Sequence, residues 1–160
     1  MPRSQPELTI TVSVLDRLID TEPKAPTDPA PSRARTLRQL KEGVKRDLEC
    51  LLNTRRDPES PPGGPGELEG SLYCYGLPDV TSFAVRSTAD RNRLLCLLES
   101  AVTTFEPRIH SVRVSMESAA GPTHALRFQI QGLLRLDPAP ERISFDTVLE
   151  LASGQYEIKG

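Results

Sequence analysis

The fold is decided by residues 126–149, which read LRFQIQGLLRLDPAPERISFDTVL. On both sides of the DPAP turn, apolar side chains or a threonine alternate with polar ones. The apolar or threonine positions are Leu126, Phe128, Ile130 and Leu134 before the turn, and Ile143, Phe145, Thr147 and Leu149 after it. Such alternation is typical of antiparallel strands with one buried face and one face in water. The stretch therefore predicts two strands joined by a proline turn.

The same alternation extends the sheet in both directions along the chain. Val112, Val114 and Met116 form an alternating run upstream, and residues 156–159 form a last short strand downstream. The connections GP and SGQ are turn-like. We therefore expect an antiparallel meander whose apolar face must be covered by other elements.

Two helical segments can cover that face. From Arg33 to about Thr54, apolar residues recur at helical spacing. A second helix is expected to start near Ser87, where Asp90 stands at the capping position, and to end before Pro107. Its apolar face consists of Leu94, Leu98, Ala101 and Phe105. The predicted fold class is α+β, a two-layer domain with a mainly antiparallel sheet packed by two main helices, plus a short N-terminal helix.

Proline-rich segments divide the chain into units. We expect an N-terminal helical docking segment at residues 1–20, a proline-rich linker at 21–32, and one domain at 33–160. Within the domain, residues 57–70 contain four prolines and four glycines. That composition predicts a mobile surface loop without a helix or a central strand.

The leading segment fits two interpretations. Leu8, Ile10 and Val12 alternate as in a strand, whereas the apolar residues from Val12 to Ile19 are also spaced as in a helix. Ser13, followed three residues later by Asp16, resembles a helix start, which favours a short helix from about Val14. An apolar helix separated by a linker must bury its face on the domain or on a partner.

Composition narrows the class of protein. The formal net charge is −2, with 20 basic and 22 acidic residues. The sequence therefore lacks the excess of positive charge that is typical of nucleic-acid-binding proteins. The three cysteines are too far apart in sequence for a metal knuckle. No secretory signal and no membrane-spanning run stand out. We expect a cytoplasmic protein with no cofactor, no metal, no membrane insertion, no nucleic acid and no small-molecule substrate.

The end of the second main helix carries an oddly placed acid. Glu106 at a helix C-terminus opposes the helix dipole, whereas Arg108 complements it. We therefore expect a guanidinium partner for Glu106. Two arrangements fit the sequence: an internal pair that fixes the helix-to-strand corner, or a contact with another subunit.

Four short motifs in order then resemble one known family. They are SVLDRL at residues 13–18, LLNTRR at 51–56, YGLPD at 75–79 and FEPR at 105–108. Together they are similar to the motifs of TssE-type baseplate subunits of bacterial type VI secretion systems, a family shared with phage baseplate wedge proteins.

The resemblance implies a structural protein of the cytoplasmic, inner-membrane-docked baseplate. Its implied partners are the other wedge subunits and the contractile sheath proteins, whose arms add strands to the sheet. The sequence leaves open which sheet edge receives them. The implied protein-binding residues are Leu15, Arg17, Leu18, Asn53, Arg55, Arg56, Glu106, Pro107 and Arg108.

An enzymatic role is also weighed, because family members have been labelled lysozyme-like. Glycoside hydrolysis needs two carboxylates flanking a cleft, one of which must hold a proton. Glu106 alone has a distinctive setting, and a nearby arginine favours the ionised carboxylate instead. We therefore expect no catalytic residues. An adaptor of another complex is the alternative, and a peptidoglycan hydrolase is a more distant one.

Overall fold

The structure is a computed structural model that describes residues 13–19, 32–56, 66–79, 87–117 and 125–159. Most of the expected docking segment and the linker, and residues 57–65 of the expected loop, lie outside this part of the chain. The division into segment, linker and domain therefore stays a prediction.

The described residues form three α-helices and four strands, in the predicted order. The helices are α1 (Val14–Leu18), α2 (Arg33–Asn53) and α3 (Thr88–Phe105), and the strands are β1 (Ile109–Met116), β2 (Ala125–Leu134), β3 (Glu141–Glu150) and β4 (Gln155–Lys159). The sheet is antiparallel throughout, with strand order β1-β2-β3-β4. The expected α+β fold with a short N-terminal helix is confirmed.

Serine side chains start all three helices. The hydroxyl oxygens of Ser13, Ser32 and Ser87 each accept a hydrogen bond from the backbone N–H three residues later. These bonds satisfy amides that would otherwise lack a partner in the first helical turn. At the other end of α3, Glu106 is the C-terminal cap, directly before Pro107.

The core lies between the helices and the alternating face of the sheet. Side chains of β2 and β3 meet there in register, for example Phe128 opposite Thr147 and Ile130 opposite Phe145. Leu48 and Val102 bring α2 and α3 onto this face, and both are fully buried. The two-layer packing follows from one apolar face of the sheet and one apolar stripe on each helix.

Part of the expected loop has regular structure. Residues Glu67–Gly70 and Leu72–Cys74 each form a 3-10 turn. The expectation of no helix over residues 57–70 is therefore wrong for its last four residues. A single 3-10 turn needs only bonds between residues three apart, such as Glu69 N–H to the Gly66 carbonyl, and the glycines permit it.

Helix side chains form hydrogen bonds with backbone groups at both edges of the sheet. The Asn53 amide donates to the Tyr156 carbonyl at 2.9 Å and accepts from the Tyr156 N–H at 2.8 Å. One turn earlier on α2, the Glu49 carboxylate accepts from the Ile158 N–H at 3.1 Å. At the other edge, the Glu99 carboxylate accepts from the Val114 N–H at 2.8 Å. Asn53 therefore acts on the outer edge of β4 as a neighbouring strand would.

Replacing Asn53 with alanine should lower the free energy of unfolding by about 1 to 2 kcal/mol, because both bonds to Tyr156 are lost. The matched control is Asn92→Ala, an exposed asparagine on α3, which should stay within about 0.5 kcal/mol of the parent. Chemical denaturation of the purified chain measures both. Equal stabilities of the two variants would contradict the proposed capping of β4.

Candidate functional site

The corner between α3 and β1 is closed by one acid–arginine pair. The backbone N–H of Arg108 donates to Glu106 Oε1 at 3.2 Å, and Arg108 Nε donates to the same oxygen at 2.7 Å. Arg108 Nη2 donates to Glu106 Oε2. Glu106 is only 4% exposed, whereas the Arg108 side chain is 25% exposed. The pair is therefore internal, and Glu106 has the guanidinium partner that the sequence predicts.

Arg108 extends this pair to α2 and α1. Its Nη2 also donates to Asp47, and Asp47 Oδ1 accepts from Arg46 Nη2 at 3.1 Å. The same Arg46 nitrogen donates to Asp16 Oδ1 at 2.7 Å, and Arg108 Nη1 lies 3.9 Å from Asp16 Oδ2. We call Asp16, Arg46, Asp47, Glu106 and Arg108 the acid–arginine network. It joins three helices and the start of β1 through alternating charges.

The network favours the charged form of its members. Burial alone would raise the pKa of Asp16, but hydrogen bonds from Ser13 and Arg46 and the charges of Arg46 and Arg108 lower it below its ordinary 3.8. The hydrogen bond to Glu106 raises the pKa of Arg108. Asp16 is therefore ionised at neutral pH although its side chain is only 6% exposed.

Helix α1 is held to the domain by its polar side and leaves its apolar side uncovered. Asp16 is the inward residue, and it lies so close to Gly43 that a Cβ there would be 2.9 Å from its carboxylate oxygens. The exposed apolar residues of the segment are Val14, Leu15, Leu18 and Ile19, with Leu18 at 76%. This arrangement is the reverse of an ordinary amphipathic surface helix.

Residues of the LLNTRR and YGLPD motifs are joined by backbone bonds. The Leu77 N–H donates to the Thr54 carbonyl at 2.8 Å, and the Arg56 N–H donates to the Leu77 carbonyl at 2.9 Å. Gly76 has φ 102°, and a Cβ there would lie 2.3 Å from the Thr54 carbonyl oxygen. Only glycine fits this close approach, which explains the Gly-Leu-Pro turn.

Two further contacts tie this joined segment to its surroundings. Arg55 pairs with Asp79 at 2.7 Å, with both side chains at least half exposed. The Tyr75 ring packs edge-on against Phe105, with centroids 5.2 Å apart. Burial and a hydrogen bond with Cys50 raise the pKa of Tyr75 to about 12. The YGLPD motif therefore lies beside the last turn of α3, next to the corner.

The structure brings some of the expected binding residues together. Through Asp16, helix α1 with Leu15 and Leu18 lies against the corner that holds exposed Pro107 and partly exposed Arg108. We call these four residues the α1–corner face. Asn53, Arg55 and Arg56 lie instead at the end of α2. The side chain of Arg17 is outside the described part.

Three residues that position this face were not predicted from the sequence: Gly43, Arg46 and Asp47. The interior glycine of α2 was the available signal, because an isolated glycine in a helix often marks a close approach. Arg46 and Asp47 carried no signal, since charged residues on an amphipathic helix are ordinary.

The described residues offer little for other chemistry. No group of histidine, cysteine and acidic side chains among them could hold a metal ion. None of the helices that can be described is long and apolar enough to cross a membrane.

Replacing Gly43 with alanine should release α1 without weakening the domain. The new methyl group displaces the Asp16 carboxylate, while alanine favours helix α2 by up to about 1 kcal/mol. We expect faster tryptic cleavage after Arg17, scored by mass spectrometry, at an unchanged or higher melting temperature. Gly70→Ala is the control, because its added Cβ has no neighbour within 4 Å. Unchanged cleavage in Gly43→Ala would contradict the anchoring of α1 at Asp16.

Comparisons with known proteins gave a family match and a solved structure. A family model described as baseplate wedge protein gp25 matches residues 38–139, well over half of the chain. A search of curated proteins found no match. One solved structure, described as the baseplate complex from the type VI secretion system, contains a chain that is 20% identical with a TM-score of 0.46. That match covers 77% of this chain and 96% of the other. On the extent of the family-model match, the chain belongs to the baseplate wedge protein gp25 family.

Proposed function

We propose that this chain is a TssE-type structural subunit of a type VI secretion baseplate, acting in the cytoplasm at the inner-membrane-docked assembly. Membership of the baseplate wedge family supports the baseplate role. The four motifs, in the order typical of TssE-type subunits, support the secretion-system assignment.

The observation that carries the proposal is the α1–corner face. The inward side of α1 carries the Asp16 carboxylate, and the domain leaves more than half of Leu15 and of Leu18 exposed to water. Exposed apolar groups rimmed by charge are typical of protein interfaces. The proposed occupant of this face is another wedge subunit, with an apolar surface for Leu15 and Leu18 and an acceptor for Arg108.

The second part of the proposal is the start of sheath assembly. The Glu106–Arg108 pair fixes the direction in which β1 leaves α3, and so fixes the whole meander relative to the α1–corner face. A sheath arm that adds a strand to this meander would then take its orientation from the baseplate. Glu106 contributes through this positioning, while Pro107 and Arg108 are accessible to a partner. Asn53, Arg55 and Arg56 contribute by holding α2 to β4 and to the YGLPD turn.

The geometry gives no support to a hydrolase. Glu106 accepts three hydrogen bonds from Arg108 and is buried, so its oxygens are occupied and do not face a cleft. A general acid must reach the leaving oxygen of the substrate. We therefore propose a role without catalysis.

The double variant Leu15→Ser/Leu18→Ser should fold normally and fail in assembly. Both residues are more than half exposed, so the free energy of unfolding should change by less than about 0.5 kcal/mol. In cells carrying labelled sheath protein, we expect at least about a tenfold drop in assembled sheaths, because truncating exposed anchors at an interface costs more than about 1 kcal/mol each.

The control is Leu72→Ser, which removes an apolar side chain that is 87% exposed but lies outside α1 and the corner. It should leave sheath assembly unchanged. Normal sheath numbers in the Leu15→Ser/Leu18→Ser cells would rule out the α1–corner face as the wedge-binding surface.

A further inference from the structure

A hollow of about 360 Å³ lies between helix α2 and the start of strand β3. The last residue of β4 is Lys159, which pairs with Asp146, so no described strand covers residues 141–145 of β3 on that side. The volume falls within the range of small-ligand sites in proteins, about 300 to 1,000 Å³. The hollow is therefore large enough to hold a small molecule.

The charged lining of the hollow is mainly basic. Among the described residues, its cations are Arg38, Lys41, Lys45 and Arg142, and its one acid is Glu42. The chain as a whole carries a formal net charge of −2, so this excess of three positive charges is local. A concave surface lined by one sign of charge concentrates ions of the opposite sign. The hollow therefore favours an anion.

The cations come from two elements that face each other across the hollow. Spacings of three and four residues put Arg38, Lys41 and Lys45 in one row along α2, and Arg142 lies on the β3 side. Lys41 pairs with Glu141 at 2.6 Å. In the described part of the chain, the other three cations have no acidic partner. They are therefore available to an anion that enters between α2 and β3.

The hollow is separate from the α1–corner face. Gly43 lies close to Asp16, and Asp47 bonds to Arg108. Lys45 is two residues from both Gly43 and Asp47, which at about 100° per residue puts it on the opposite side of α2. A ligand of the hollow therefore uses a different surface from the proposed wedge partner, and the two proposals do not depend on each other.

The amount of charge indicates the class of anion. A phosphate group carries a charge of about −1.5 to −2 at pH 7 and three strong acceptor oxygens. Two linked phosphate groups therefore balance an excess of three positive charges within one small hollow. Arginine guanidinium groups match phosphate oxygens in a two-pronged geometry, and lysine adds a compact positive charge. The mixture of arginine and lysine in the hollow suits such a ligand.

We infer that the hollow between α2 and β3 binds a compact anion with two or three linked phosphate groups. Arg38, Lys45 and Arg142 contact the phosphate oxygens. Lys41, fixed by its pair with Glu141, adds positive charge at the wall of the hollow. The site binds this anion without transforming it.

Isothermal titration of the full-length chain with inorganic triphosphate, without divalent cations, tests the site. We expect saturable binding of one triphosphate per chain. Raising the salt concentration from about 0.05 M to about 0.2 M should weaken it several-fold, because salt screens exposed charges. Absence of saturable binding up to about 1 mM triphosphate would overturn the inference.

Matched charge removals locate the binding. Arg38→Gln/Lys45→Gln should weaken triphosphate binding at least about tenfold, and Arg142→Gln should weaken it in the same direction. The control for the double variant is Arg33→Gln/Arg127→Gln, which removes two exposed arginines that do not line the hollow. Circular dichroism melting checks that all the variants fold. Equal weakening in the two double variants would overturn the inference, because it would show a response to net charge alone.

Removal of the lining acid gives an effect of opposite sign. Glu42 is exposed and repels an anion in the hollow, so Glu42→Gln should tighten triphosphate binding about two- to fivefold. The control is Glu157→Gln, an exposed acid of β4 that pairs with Val148 and does not line the hollow. Weaker binding in Glu42→Gln than in Glu157→Gln would contradict the site.

Two further titrations identify the source of the phosphates. ATP that binds more tightly than inorganic triphosphate would place its organic part against Ile143 and Phe145, the apolar lining of the hollow. Equal affinities would place only the phosphates there, and both results agree with the inference. A hexaglutamate peptide that binds more tightly than either would overturn it, because the hollow would then prefer an acidic protein segment.

Discussion

The bidentate pair between Glu106 and Arg108 is the interaction on which the rest of the structure depends. It occupies the carboxylate at the end of α3, where the helix dipole alone would oppose a negative charge. The Arg108 Nη2 that bonds to Glu106 also donates to Asp47, and Arg108 Nη1 lies 3.9 Å from Asp16 Oδ2. This largely buried pair therefore closes the angle between α3 and β1, and through Asp47 and Asp16 it ties α2 and α1 to the corner. The FEPR motif, which the sequence alone would also allow as a contact with a partner, therefore stabilises the fold of its own chain.

Helix α2 makes polar contacts on two sides of the domain. One flank holds Arg46 and Asp47 against α1 and the corner, and the other flank holds Glu49 and Asn53 against β4. The buried leucines lie between the two flanks, as the helical period requires. One helix therefore holds the α1–corner face and the outer edge of β4 in a fixed relation to each other.

The sequence predicted the elements well and the connections between them poorly. The alternation in β2 and β3 and the serine caps at Ser13, Ser32 and Ser87 depend only on residues close in sequence. Such local patterns can be recognised before the fold is known. The position of Glu106 indicated a guanidinium partner but not whether it was internal, because that depends on burial. The roles of Arg46 and Asp47 depend on how α2 is placed against α1 and the corner, which has no signature in a single sequence. The interior glycine, Gly43, was the available signal of that close approach.

A double-mutant cycle of Glu106→Gln and Arg108→Gln on the isolated chain measures how much the Glu106–Arg108 pair stabilises the fold. For an internal, largely buried pair, each single variant should lower the free energy of unfolding by about 3 kcal/mol, because the remaining charge loses its partner. The coupling energy should be at least about 1 kcal/mol. Single variants within about 0.5 kcal/mol of the parent, with no coupling, would contradict the account and leave the motif as a partner contact alone.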